Sequence, residues 1–201
     1  MSIWWMGTMI KRERIFKCKN GKIKIVLDEL QSGKNYEKEW VRKQISKPTK
    51  TFCNSFSIGI ELEIHKGGRI CYGMLMASVK PNEEQDYIKV AVAYTQRNST
   101  KYSNSILTND AYVYEGLPKE YIEAVCSSID DLMDKKSEYP QCDIKIEDAA
   151  NCEVGSSPMI FSIITKLLLK LIDSNSIEEI LSMDNEGFTE KYLKGTCYAL
   201  G

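Results

Sequence analysis

Residues 158–172, PMIFSIITKLLLKLI, limit the possible folds more than any other stretch of the chain. Pro158 suits the first helical position, with Ser156 or Ser157 ahead of it as a cap. The run is apolar nearly all round; its only polar stripe is Ser162, Lys166 and Lys170. Such a helix must be covered on most of its circumference. It spans about 22 Å at 1.5 Å per residue and carries two lysines. That falls short of the roughly 20 mostly apolar residues that cross a bilayer, so it predicts a core helix and no membrane span.

The strands that could cover it precede it. In Phe52–Ile64, Phe56, Ile58, Ile60, Leu62 and Ile64 alternate with Ser57, Gly59, Glu61 and Glu63, the period of a half-buried strand. His65-Lys66-Gly67-Gly68-Arg69 reads as a turn with freedom for positive φ. Tyr72–Lys80 returns as a second strand, antiparallel to the first, and stops at Pro81. Tyr87–Thr95 reads as a further strand, and Arg97–Asn109, rich in Ser, Thr and Asn, as a flexible loop. Pro118 opens a helix whose Tyr121, Ile122, Val125, Ile129, Leu132 and Met133 share one face. Asp130, Asp131 and Asp134 fall on its solvated side. Cys142, Ile144 and Ile146 then alternate with Asp143, Lys145 and Glu147 as a strand, and Asp148–Gly155 is a polar turn.

At the N-terminus, Asn20-Gly21 predicts a two-residue turn joining Glu13–Lys19 to Lys22–Leu27. Gln31–Gly33 reads as a turn, and Tyr36–Ile45 as a short helix or an edge strand. Met1–Ile10 is apolar, with Trp4 and Trp5, and reads as a segment that packs on the domain or on a second copy, which would make a homodimer. After Ile172, Ile177–Met183 and Phe188–Lys194 read as two short helices stopped by Gly195. The expected division is a basic extension with a hairpin at 1–51, a domain at 52–173 and a helical tail at 174–201.

The net charge is −1, which gives no global bias toward nucleic acid. Residues 1–50 nevertheless hold thirteen Lys or Arg against five Asp or Glu, and a basic segment can find anionic partners. The seven cysteines include no C-x-x-C, which predicts reduced thiols in a cytoplasmic protein. The first residues lack the pattern of a cleaved leader. His65, the single histidine, has no second histidine for a metal and no nucleophile motif, and reads as a residue at a strand end. Ser156 and Ser157 read as caps. No cofactor, metal or catalytic residue is expected, and the chain does not read as an enzyme.

Four blocks resemble domain IV of bacterial elongation factor G and its relatives, the tetracycline ribosomal-protection proteins. The family's S-G-G-x-G-Q-Y/F-G compares with Lys66-Gly67-Gly68-Arg69-Ile70-Cys71-Tyr72-Gly73. Its I-P-x-E-Y-I-x-A-V compares with Leu117-Pro118-Lys119-Glu120-Tyr121-Ile122-Glu123-Ala124-Val125. Its G-Y-P-V-x-D-V-K-V compares with Glu138-Tyr139-Pro140-Gln141-Cys142-Asp143-Ile144-Lys145-Ile146. Its D-G-S-Y-H-E-V-D-S-S-E-x-A-F compares with the run from Asp148 to Phe161. The resemblance covers about Phe52 to Ile172.

It implies an α+β fold like domain 2 of ribosomal protein S5, a small mixed sheet with two helices on one face, here with an N-terminal hairpin and a C-terminal helical tail. The turns at Lys66–Tyr72 and Asp148–Ser157 would share one end, the end with which elongation factor G reaches the ribosome. The expected function is a non-catalytic module that binds the ribosome or another structured RNA. Lys66 and Arg69 would meet phosphates, Tyr72 would be available to stack on a base, and Gly67, Gly68, Asn151 and Cys152 would complete the contact.

The departures are specific. No G-x-x-x-x-G-K-[ST] occurs, so GTP hydrolysis is excluded for this chain. Ile70 and Cys71 replace a glycine and a glutamine, and Cys152 stands where the family has its tip histidine. Cys152 reads as an unreactive thiol in a loop. The altered tip and the apolar N-terminus support a second reading, a protein-interaction or structural module that keeps the fold without RNA binding.

Overall fold

A computed structural model describes residues 12–28, 38–46, 49–51, 54–82, 87–95, 100–107, 113–174 and 177–194. In chain order the strands are β1 (Arg12–Cys18), β2 (Gly21–Asp28), β3 (Glu39–Ile45), β4 (Thr49–Lys50), β5 (Phe56–Lys66), β6 (Arg69–Pro81), β7 (Ile88–Tyr94) and β8 (Val113–Glu115). A 3₁₀ turn at Lys119–Tyr121 leads into α1 (Ile122–Lys135), β9 (Tyr139–Pro140), β10 (Cys142–Cys152) and α2 (Pro158–Ser174). The last described elements are α3 (Ile177–Ser182), α4 (Asn185–Phe188) and a π-helical turn at Thr189–Leu193.

The fold is α+β, built on a mixed, mostly antiparallel sheet. The strand order is β1-β2-β5-β6-β10-β7-β3, with β8 pairing the far end of β10. Only β10 and β7 run parallel within it; β4 and β9 form a separate parallel pair. Tyr36–Ile45, legible as helix or edge strand, is the edge strand β3 over Glu39–Ile45, paired with β7.

The alternation in the sequence becomes two faces. Ile58, Ile60, Leu62 and Ile64 on β5, Leu75, Ala77 and Val79 on β6, and Ile23, Ile25 and Leu27 on β2 are buried toward the helices. Helix α2 lies over β5 and β6, and α1 lies against α2. Gly73 makes that approach possible: a Cβ there would come within 2.8 Å of Ile160 and 3.0 Å of Ile164. Two residues of the polar stripe of α2 meet α1. The Ser162 and Ser128 hydroxyls are 2.7 Å apart, and Lys166 pairs with Asp131 at 3.5 Å. Asp130, expected on a solvated side, pairs with Lys43 of β3, so α1 is tied to the sheet edge as well.

Three expectations change in detail. The N-terminal hairpin pairs Cys18 with Gly21, so its two-residue loop is Lys19-Asn20 and not Asn20-Gly21. Gly21 serves a different need, because a Cβ there would lie 2.0 Å from the Glu63 carbonyl oxygen of the neighbouring β5. That hairpin is also continuous with the sheet, since β2 pairs with β5 along its length. Within Arg97–Asn109, expected as a flexible loop, residues 100–107 lie pinned on the face opposite the helices. The Tyr102 amide donates to the Val113 carbonyl at 2.9 Å, and the Ile106 amide to the Glu61 carboxylate at 2.8 Å. The C-terminal residues pack under β1: the rings of Phe16 and Phe188 stack at 3.9 Å, and Arg14 donates to the Leu181 carbonyl at 2.7 Å. Met1–Ile10, with Trp4 and Trp5, and the turn at Gln31–Gly33 lie outside the described residues.

Candidate interaction site at the sheet tip

The site is built on the longest hairpin. Strands β5 and β6 pair from Phe56–Val79 out to Lys66–Arg69, leaving Gly67-Gly68 as the loop. Both glycines have positive φ, 58° and 76°, the signature of the tight turn that matches strand twist. The turn residues, with Lys66 and Arg69, are exposed. Glu63 lies below them and is occupied by Lys22 at 3.1 Å and by His65 at 2.7 Å. Among the described residues neither Lys66 nor Arg69 is held by a carboxylate.

The second turn, between β10 and α2, is bonded to the first. The Tyr72 amide donates to the Gly155 carbonyl at 3.1 Å. The Ser156 hydroxyl donates to the Tyr72 carbonyl at 2.7 Å and accepts from the Cys152 amide at 2.8 Å. Ser157 is the cap, its hydroxyl accepting from the Ile160 amide at 3.4 Å. The two serines therefore divide the work: one caps α2, the other clamps the turn to the hairpin. Tyr121, at the start of α1, stacks on Phe161 at 4.9 Å and donates to the Ser156 carbonyl at 3.4 Å. Burial pushes its phenol up to about 12.

Of the sequence-predicted contact residues, Lys66, Gly67, Gly68 and Arg69 are at the tip surface, and Cys152 is half-buried beneath it. Two others are not accessible. Tyr72 has 0% of its surface exposed, so it cannot stack on a base. Its hydroxyl donates to Glu61 at 2.7 Å, and burial followed by the nearby Glu61 charge drives its proton affinity far above the usual phenol range. Asn151 is 2% exposed and structural: its amide nitrogen donates to the Gly116 carbonyl at 2.9 Å, fixing the entry to α1. Strand parity explains both: Tyr72 points to the covered second face with Met74, and Asn151 to the helix face.

Behind the tip lies a buried polar cluster. Glu61 is 2% exposed, accepts from Tyr72 and Ile106, and sits 3.8 Å from Lys24. Burial raises its carboxyl, against the opposing effects of those donors and of Lys24. The cluster holds residues 100–107 over a small apolar patch of Tyr72, Met74, Val113 and Ala150.

The tip also exposes apolar side chains. Ile70 is 44%, Val154 84% and Met159 43% exposed. Ile70 follows Arg69, and Val154 precedes Gly155, whose carbonyl is bonded to Tyr72. The sequence signal for this was local: Ile70 stands where the resembling family keeps glycine. Among the described residues no group of His, Cys, Asp and Glu side chains could hold a metal ion, and no helix is long and apolar enough to cross a membrane. Comparison with protein-family models, with curated proteins and with solved structures found no match.

Proposed function

We propose that this chain is a non-catalytic module that binds the ribosome or another structured RNA through the tip formed by Gly67-Gly68 and the turn at 153–157. The reading includes a relationship to domain IV of elongation factor G and an S5 domain 2-like fold. Three features support it. A hairpin, a helix, a strand and a helix follow one another in that order, with β7, β8 and β9 standing between them. Both helices lie on one face of a mixed sheet. Three of the four blocks that carry the resemblance also coincide with the joint, through Tyr72, Ser156 and Tyr121.

One observation carries the functional part. Lys66 and Arg69 stand exposed beside a two-glycine turn, without carboxylate partners among the described residues, at the end where the two turns are bonded together. Cations without such partners can meet phosphates without first breaking an ion pair. The absence of a G-x-x-x-x-G-K-[ST] leaves binding without GTP hydrolysis.

Co-sedimentation with purified bacterial ribosomes at low and moderate salt tests the proposal, with Lys66→Ala/Arg69→Ala beside the wild type. Binding should weaken with salt, and the double variant should bind less and with a flatter salt dependence, by roughly one to two units of slope. Binding that ignores both salt and the double variant would refute the assignment. A second reading, a protein-interaction module, is favoured by the exposed Ile70, Val154 and Met159; pull-down of a ribosome-free protein partner lost in an Ile70→Ser/Val154→Ser variant would favour it.

A further inference from the structure

We infer that the tip selects RNA with unpaired, unstacked bases over regular duplex, by setting Ile70 and Val154 against base faces while Lys66 and Arg69 hold the flanking phosphates. This rests on the RNA-binding reading above and adds the class of RNA and the residues that choose it.

Two kinds of exposed side chain stand at the tip, Arg69 and Ile70 being successive residues of β6. Lys66 and Arg69 close the Gly67-Gly68 turn and carry charge into solvent. Ile70 is the next residue on β6, paired with His65, and Val154 rises from the turn bonded to Tyr72 through Gly155. Val154 is 84% exposed on a turn, a protrusion and not the wall of a groove. A regular A-form helix offers this surface phosphates, sugar hydroxyls and a major groove too deep and narrow to enter. It would satisfy the two cations and leave both branched side chains in water. Unstacked bases offer apolar faces within one nucleotide of a phosphate, so they satisfy both kinds of group at once.

Glu153 supports the same division. It is exposed beside Val154, on the second turn and not on the hairpin. A carboxylate there repels phosphate but accepts from the exocyclic amino groups of bases. Lys66 and Arg69 are thereby matched to backbone, and Ile70 with the 153–154 turn to bases. Insertion into an anionic lipid surface would instead drive Glu153 toward the headgroup phosphates, which disfavours that occupant.

Fluorescence anisotropy with labelled RNA tests this directly. The probes are a perfect duplex and a hairpin of equal length carrying an internal bulge and an unpaired loop. The looped RNA should bind at least about tenfold tighter than the duplex, a factor that even partial burial of the two branched side chains supplies. Ile70→Ser/Val154→Ser should erase that preference and leave duplex binding unchanged, whereas Lys66→Ala/Arg69→Ala should weaken both RNAs alike. Both substituted pairs are surface positions, so the variants fold. Equal affinity for the two RNAs, or a preference that survives Ile70→Ser/Val154→Ser, overturns the inference while the RNA-binding reading stands. Failure of both RNAs to bind, together with failure to sediment with ribosomes, overturns the two together.

Discussion

Glu61 shows how one residue can look like surface in sequence and behave as interior in the fold. It alternates with Ile60 and Leu62, as a solvated strand residue would, yet it lies on a face that residues 100–107 cover. Its carboxyl is raised chiefly by burial, with Tyr72, Ile106, Lys24 and Ser105 pulling the other way. Glu13 bonds to Lys24 at 3.6 Å from the neighbouring strand and so competes for its charge. The direction of the shift fixes a pH dependence. Above the ordinary carboxyl value of 4.5, and up to its own raised value, folded Glu61 keeps a proton that the unfolded chain has lost. Its contribution to stability therefore grows as pH falls through that window and is lost as pH rises through the folded value. Glu61→Gln keeps an oxygen for Tyr72 and Ile106 but cannot titrate. Urea unfolding from pH 7 down to 4.5 should show the wild type gaining stability relative to this variant; parallel pH profiles would contradict the assignment.

At the scale of elements, α2 and the β5–β6 hairpin form the unit on which the rest is assembled. Their contact depends on Gly73, where an added Cβ would meet Ile160 and Ile164 at 2.8 and 3.0 Å. Both neighbours belong to one buried helix face that is itself backed by α1, so neither has free space to yield into. Gly73→Ala should cost about 1–3 kcal/mol, the range for overpacking a filled core. Chemical denaturation measures this cost, and a variant as stable as the wild type would show that α2 can ride outward freely. Much of this unit was legible beforehand. Alternation marked β5 and the first half of β10, apolar runs bounded by turn residues marked β6 and β7, helical spacing marked α1, and an apolar run opened by Ser157-Pro158 marked α2. What periodicity could not give was the contact across elements. A glycine at 21 serves a turn or a close backbone approach equally well in one dimension, and only the carbonyl of Glu63 decides. Tyr72 and Asn151 sit in blocks that resemble a binding tip, yet strand parity sends both inward. Ser156 looked like a cap and instead joins two turns, a role set by a carbonyl 84 residues away in sequence.

At the scale of the whole molecule, the described helices lie on one face of the main sheet, and the last of these finishes the cover over β1. Phe16 of β1 and Phe188 of α4 are both buried and stacked, and Tyr192 packs on Phe188 at 5.4 Å between ring centroids. Around them, Arg14 is bonded to the Leu181 carbonyl, and the Lys17 amide to the Asn185 side chain at 3.0 Å. Without these residues Phe16, and the Ile23 that pairs with it, would face solvent from an edge hairpin, and an isolated hairpin is marginal in water. Segments at the two extremes of the described chain are thus coupled through one aromatic stack. Phe188→Ala should then destabilise the protein as a whole, by about 3–5 kcal/mol for a large ring lost from a packed site. Thermal unfolding followed by far-UV and near-UV circular dichroism should keep a single coincident transition, moved to lower temperature. If the tail were an independent appendage, the same substitution would leave the main midpoint where it was. The tip proposed to meet RNA is formed by other turns, so any ribosome binding by the wild type should be kept by Phe188→Ala measured well below its midpoint. That separates the chain's architecture from its surface: one end of the helical layer holds the fold closed, while the turns after β5 and β10 remain available for a partner.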